Sequence, residues 1–253
     1  MEYVEFLRVR RSLSWHLGIL GLLTLAILVF GHHAAINIDD GDSTSRIASG
    51  MMVPLMALTP VAMFFAAIYA STAGTSLNRE FMVRDLAWTK PIARNALALR
   101  YIAVDVAAVA LVYVLALLAI VVALARFGVT VVPDAEAFGY IVFGLGVSVM
   151  WYALVQITTC LLPPRGLALA GILWPIALVD IGLCRLSGTT GTIAHVFAIV
   201  NPLAYMSGVA FDAHGATEKA IWQMPADERA LAVWFFSALF CAVAVTLWPR
   251  REA

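Results

Sequence analysis

The chain has 253 residues, 62% of them hydrophobic and only 13% charged, with a mean hydropathy of +0.91. Soluble domains run nearer half apolar and a quarter charged, so the composition excludes an ordinary soluble domain and points to the bilayer. Sixteen basic and sixteen acidic residues cancel to a net charge of zero, which removes nucleic acid as a bulk electrostatic partner.

Residues 1–12 read as a helix lying on the membrane, with Tyr3, Phe6, Leu7 and Val9 toward lipid and Glu5, Arg8 and Arg11 toward water. Arg10 departs from that pattern and is accommodated by snorkelling. An apolar run follows and ends at Gly31-His32-His33 without a small-x-small cleavage site, which predicts a retained first span over 13–31 rather than a signal peptide. His32 and His33, with Asp39, Asp40 and Asp42 just beyond, read as solvated surface, and no metal site is predicted.

A membrane helix needs about 20 mostly apolar residues. By that measure further spans are expected at 50–73, 101–125, 138–162, 166–184 and 230–248. Pro54 and Pro60 in the second span, and Pro175 in the fifth, are expected to kink helices rather than end them. The apolar stretch 192–211 is long enough for a further span, but Asn201-Pro202 interrupts its centre, where the residue before proline leaves the helical region. It is expected to form two short helices dipping into the outer leaflet, within an extracellular segment over 188–228. The sequence therefore predicts an all-α integral membrane protein of one domain, 1–253, with six transmembrane helices. Cys160, Cys184 and Cys241 lie in or beside apolar runs without CxxC or CxxH spacing, as small buried hydrophobes do.

Orientation follows from Lys and Arg near the span ends. With the N-terminus in the cytoplasm, Arg8, Arg10, Arg11, Arg79, Arg84, Lys90, Arg94, Arg100, Arg165, Arg250 and Arg251 lie inside. Arg46, Arg126, Arg185, Lys219 and Arg229 lie outside, so both termini are expected to be cytoplasmic.

The chemistry-bearing motifs are missing. The sequence contains no GxxxxGK[ST] phosphate loop, no HExxH and no GxSxG, so no enzyme activity and no cofactor are expected of this chain alone. Charges inside spans are costly and mark candidate functional positions. Asp105 is expected one turn into the third span, paired with Arg100 or a loop arginine; Asp180 is expected to pair with Arg185 or with another helix. Gln156, with Thr158 and Thr159, offers either a polar lining or interhelical hydrogen bonds.

The most charged stretch is 79–100, and most of it lies in the short cytoplasmic connection 76–94. Ser76 is placed to cap a helix from Leu77 to about Trp88, with Glu80 favouring its dipole. Leu77, Phe81 and Trp88 fall on one narrow face, beside Glu80 and Arg84. Positive-inside topology explains the arginines, but not Glu80, Asp85 and three bulky apolar side chains among them. That mixture suits a protein contact.

The stretch GTSLNREFMVRDLAWTKPIARNALALRYIAVD resembles the first cytoplasmic loop of ABC-2 type transporter permeases. Glu80 and the run Thr89-Lys90-Pro91-Ile92-Ala93-Arg94 carry the resemblance; a Gly-Thr pair common after the glutamate is replaced here by Arg84-Asp85. The six spans, the interfacial helix and the broken segment before the last span extend it over nearly the whole chain. The resemblance implies a permease subunit in the bacterial cytoplasmic membrane that pairs with a second permease subunit, identical or homologous. It also implies separate ABC ATPase subunits, which bind ATP and Mg. Glu80, Phe81, Arg84, Asp85, Trp88, Lys90, Pro91 and Arg94 would then form a coupling helix seated on the ATPase, with a lipophilic or amphiphilic cargo exported. The rival expectations are an ion-coupled secondary transporter, a membrane enzyme and a non-transporting anchor subunit.

Overall fold

At hydrocarbon depth a backbone finds no water, and helices satisfy its polar groups internally. The computed structural model describes residues 2–37, 52–75, 94–133, 137–161, 166–186, 188–206 and 226–247. In chain order these form α1 (Glu2–Asn37), β1 (Met52–Pro54), a 3-10 turn (Leu55–Leu58), α2 (Thr59–Ala73), α3 (Arg94–Arg126) and β2 (Thr130–Val132). Then come α4 (Ala137–Leu161), α5 (Gly166–Leu183), α6 (Thr189–Ala198) and α7 (Ala226–Leu247), with a further helical turn at 202–206 before α7.

Five stretches are long and apolar enough to cross a bilayer: Val9–Val29, Leu55–Ala73, Asn95–Arg126, Ala137–Leu161 and Glu228–Leu247. The protein is accordingly helical and membrane-embedded. α5 has 18 residues, about 27 Å at 1.5 Å per residue, and carries Pro175 inside it; its described apolar part is Gly171–Leu183. Trp15, Leu22, Leu118, Val179, Leu231 and Phe235 stand exposed around the bundle. In water such a surface would drive association, whereas against acyl chains it is the ordinary outer face.

Three boundaries differ from the sequence expectation. The interfacial helix expected over 1–12 is not set off from the first span, because α1 runs unbroken from Glu2 with no proline to interrupt it. Pro54 and Pro60 do not kink the second span. Pro54 closes β1 and Pro60 occupies the first turn of α2, where a missing N–H costs nothing. α3 begins at Arg94, so Asp105 lies 11 residues, about three turns, inside the helix rather than one turn from its start. The expected break after residue 192 is present. α6 ends at Ala198, and a new turn starts with Asn201 as its cap, whose Oδ1 accepts the Leu203 N–H at 3.0 Å, and with Pro202 as its first residue.

α4 is the central helix, packed against α7, α2, α3 and α5. Its small residues permit this. A Cβ on Gly146 would lie 2.9 Å from Val233 Cγ1 of α7, and one on Gly144 would strike the Tyr113 hydroxyl of α3. α1 packs on α3 and, less extensively, on α2.

At the end of α3, Gly128 takes a left-handed φ of 73°, while the Gly128 and Val129 N–H groups bond back to Ala125 and Leu124. This Schellman cap turns the chain back on itself. β2 then runs parallel to β1, with Met52 opposite Thr130 and Pro54 opposite Val132, so the start of α2 is tied to the end of α3.

On the α5 side one hydroxyl bridges three helices. Ser71 Oγ of α2 accepts the indole N–H of Trp151 (α4) at 2.8 Å and that of Trp174 (α5) at 3.0 Å, while donating to the Ala67 carbonyl at 2.9 Å. The two indoles pack at a tilt of 53° with centroids 4.7 Å apart, and Phe64 meets Trp174 edge-on at 5.7 Å. Ser71→Ala is expected to destabilise the fold by about 1–3 kcal/mol for each indole left without its acceptor. The measurement is the thermal midpoint of the detergent-purified protein, followed by tryptophan emission; an unchanged midpoint would show that the hydroxyl holds nothing together.

Candidate functional site

Of the residues expected to couple to an ATPase, Glu80, Phe81, Arg84, Asp85, Trp88, Lys90 and Pro91 lie outside the described residues. Arg94 is the first residue of α3, and its side chain lies outside them too. The root of this connection is described. α2 ends at Ala73, and the Gly74 N–H bonds to the Ala70 carbonyl at 2.8 Å. The Gly74 carbonyl accepts the Thr159 hydroxyl of α4 at 2.9 Å, and Thr75 is buried with its hydroxyl on the Thr72 carbonyl. Gly74 is required here by space, since a Cβ would lie 2.7 Å from Val155 Cγ1. On the other flank Leu97, Ala98 and Tyr101 of α3 pack with Cys160 of α4. Both ends of the 76–93 connection are thus fixed to the same end of α4.

A polar line runs along that helix. Tyr152, Gln156 and Thr159 recur at i, i+4 and i+7, which places them on one face. Tyr152 is fully buried and donates its hydroxyl to Asp105 Oδ2 at 2.9 Å; Asp105 is itself fully buried. Gln156 is 1% exposed, and neither its Nε2 nor its Oε1 has a hydrogen-bond partner among the described residues. Thr158 bonds back within its own helix, to the Val155 carbonyl. Of the two readings open for these polar residues, the interhelical hydrogen bond therefore describes Thr159, and a buried unpaired amide describes Gln156. A buried amide left without partners is costly, so such groups are uncommon away from sites that use them.

Asp180 lies apart from this line. Its Oδ2 accepts Asn201 Nδ2 at 2.9 Å, and the same amide donates to the Ala177 carbonyl at 2.9 Å. The carboxylate therefore joins α5 to the break between α6 and the 202–206 turn, where the sequence expected Arg185 or another helix as its partner. Asp105 and Asp180 are not brought together into one site; Asp105 sits against α4, and Asp180 lines a groove between α4, α5 and the break.

Sequence reasoning missed Ser71 and the two indoles, whose partners are 80 and 103 residues apart. It read Asn201 as an interruption and not as the partner of Asp180. An asparagine before a proline does carry a usable signal, because Ncap-N1 is where that pair is favoured. Among the described residues no group of three His, Cys, Asp or Glu side chains is placed to hold a metal. Compared with known protein families, with curated proteins and with solved structures, the chain finds no match.

Gly74→Ala is expected to force the end of α2 away from α4 and to cost about 1–3 kcal/mol through overpacking. Val155→Ala in the same chain should restore most of it, a coupling that a double-mutant cycle of thermal midpoints measures directly. Additive losses would show that the two residues do not share the space.

Proposed function

We propose that the chain is the permease subunit of an ABC-2 type transporter, driven by ATP hydrolysed on a separate subunit. One observation supports this most: the charged, aromatic connection 76–93 leaves α2 at a clamped Gly74 and enters α3 at Arg94, beside the same end of α4. A partner gripping Glu80, Phe81, Arg84, Asp85, Trp88, Lys90, Pro91 and Arg94 would pull on three packed helices at once. The absent phosphate loop fits a subunit whose energy comes from elsewhere.

In this reading α5 is the fifth of six spans despite its length of 18 residues. Pro175 is accommodated, α6 and the 202–206 turn dip into the outer leaflet, and both termini face the cytoplasm of a bacterial cell. A second permease subunit completes the pathway, and the cargo is lipophilic or amphiphilic. The chain itself carries neither ATP nor Mg.

A second reading, an ion-coupled secondary transporter, draws on Asp105 and Gln156, two polar side chains buried in the bundle. It requires gradient-driven transport by this chain in vesicles without any ATPase subunit.

Glu80→Arg or Trp88→Ala is expected to abolish cargo-stimulated ATP hydrolysis by the purified complex while leaving the subunit inserted. Normal stimulation in both variants would end the coupling assignment. For topology, Ser207→Cys should be labelled from outside intact cells by an impermeant thiol reagent, and labelling only from the inside would instead give the segment before α7 a full crossing.

A further inference from the structure

Between α4, α5 and the break after α6 lies an open groove of about 540 Å³, within the roughly 300–1,000 Å³ of small-molecule sites. Its walls include Leu154, Leu173, Ile176 and Phe197, and its polar groups are Asp180 and Asn201. Asp180 comes three residues before the end of α5, while Leu173 lies seven residues deeper, about 10 Å along the helix. The groove therefore offers one carboxylate near the level of a helix end and an apolar wall running inward from it.

Asn201 has no donor to spare for this carboxylate beyond the one it gives. Its two amide hydrogens go to Asp180 Oδ2 and the Ala177 carbonyl, and its Oδ1 accepts the Leu203 N–H. A carboxylate can accept about four hydrogen bonds, and Asn201 supplies one neutral one. Among the described residues that is its one hydrogen-bond donor, so between apolar walls the carboxylate favours a ligand that brings a positive charge and N–H donors together. Anionic headgroups are repelled at this position, and a quaternary ammonium brings charge without donors.

We infer that the groove is a binding site for an amphiphile with a primary ammonium headgroup, the ammonium on Asp180 and the hydrocarbon tail along Leu173 and Ile176 of α5 toward Leu154 of α4. The site does not depend on the transport reading, since binding is measured on this chain without an ATPase. The headgroup chemistry is shared by a free long-chain amine and by the ethanolamine headgroup of a bilayer lipid.

The test uses the full chain in phosphatidylcholine nanodiscs and a pyrene-labelled hexadecylamine, with binding read by energy transfer from tryptophan. The amine is expected to bind saturably and roughly tenfold tighter than its N-acetyl counterpart, the order of one charge-assisted hydrogen bond. Asp180→Asn, which keeps an acceptor for Asn201, should remove that tenfold preference, and Leu173→Trp should weaken both probes by filling the groove. Equal binding of amine and acetylated probe, or an amine preference that survives Asp180→Asn, would overturn the assignment. Adding phosphatidylethanolamine to the discs separates the sources. Displacement of the amine supports the site with a bilayer lipid as occupant, and binding unaffected by the lipid supports it with a free cationic amphiphile.

Discussion

One serine hydroxyl decides where the outer part of this bundle sits. Ser71 is small enough to let two indoles approach and polar enough to give both N–H groups an acceptor. In lipid, an indole N–H without a partner has no water to turn to, so the bond is worth more for what it avoids than for what it adds. Trp151 brings α4 and Trp174 brings α5, and the tilted contact of the two rings restricts how α5 can lie. The groove at Asp180 exists because α5 is held at this angle and the chain beyond it is pinned by Asn201. Apolar matching alone would not fix that placement, since lipid tails compete equally well for the faces of α5.

On the α2–α3 side close approach does much of the positioning. Gly74 lets α2 end against Val155, and the Thr159 bond to its carbonyl then has the right length. Gly144 and Gly146 do the same for Tyr113 and Val233. A charged connection leaving such an anchored root is suited to carrying force, because displacement at the root cannot be absorbed by loose packing. Buried Asp105 accepts the hydroxyl of Tyr152, one member of that line, and so ties α3 to α4.

Much of the helical architecture was legible in the sequence because runs of about 20 apolar residues leave few alternatives. The interruption at Asn201-Pro202 was legible for an equally local reason. What local reading could not supply was the meaning of residues whose partners are distant. Ser71 looks like any small polar residue in an apolar helix, and nothing near it announces Trp151 or Trp174. Pro54 and Pro60 were misread because an apolar stretch does not show where its helix begins; the strand pairing that sets that boundary involves Thr130–Val132, far along the chain. For the charged connection, composition speaks clearly about contact with a partner, while its geometry lies outside the described residues.

The short parallel pairing of β1 with β2 has a mechanical meaning. α2 and α3 are joined covalently through 76–93 at one end, and at the other end the strand pair bolts them together. The two helices form a closed frame and not an open hairpin. In the proposed coupling, a push on 76–93 would therefore rock this frame about the strand pair instead of spreading the two helices.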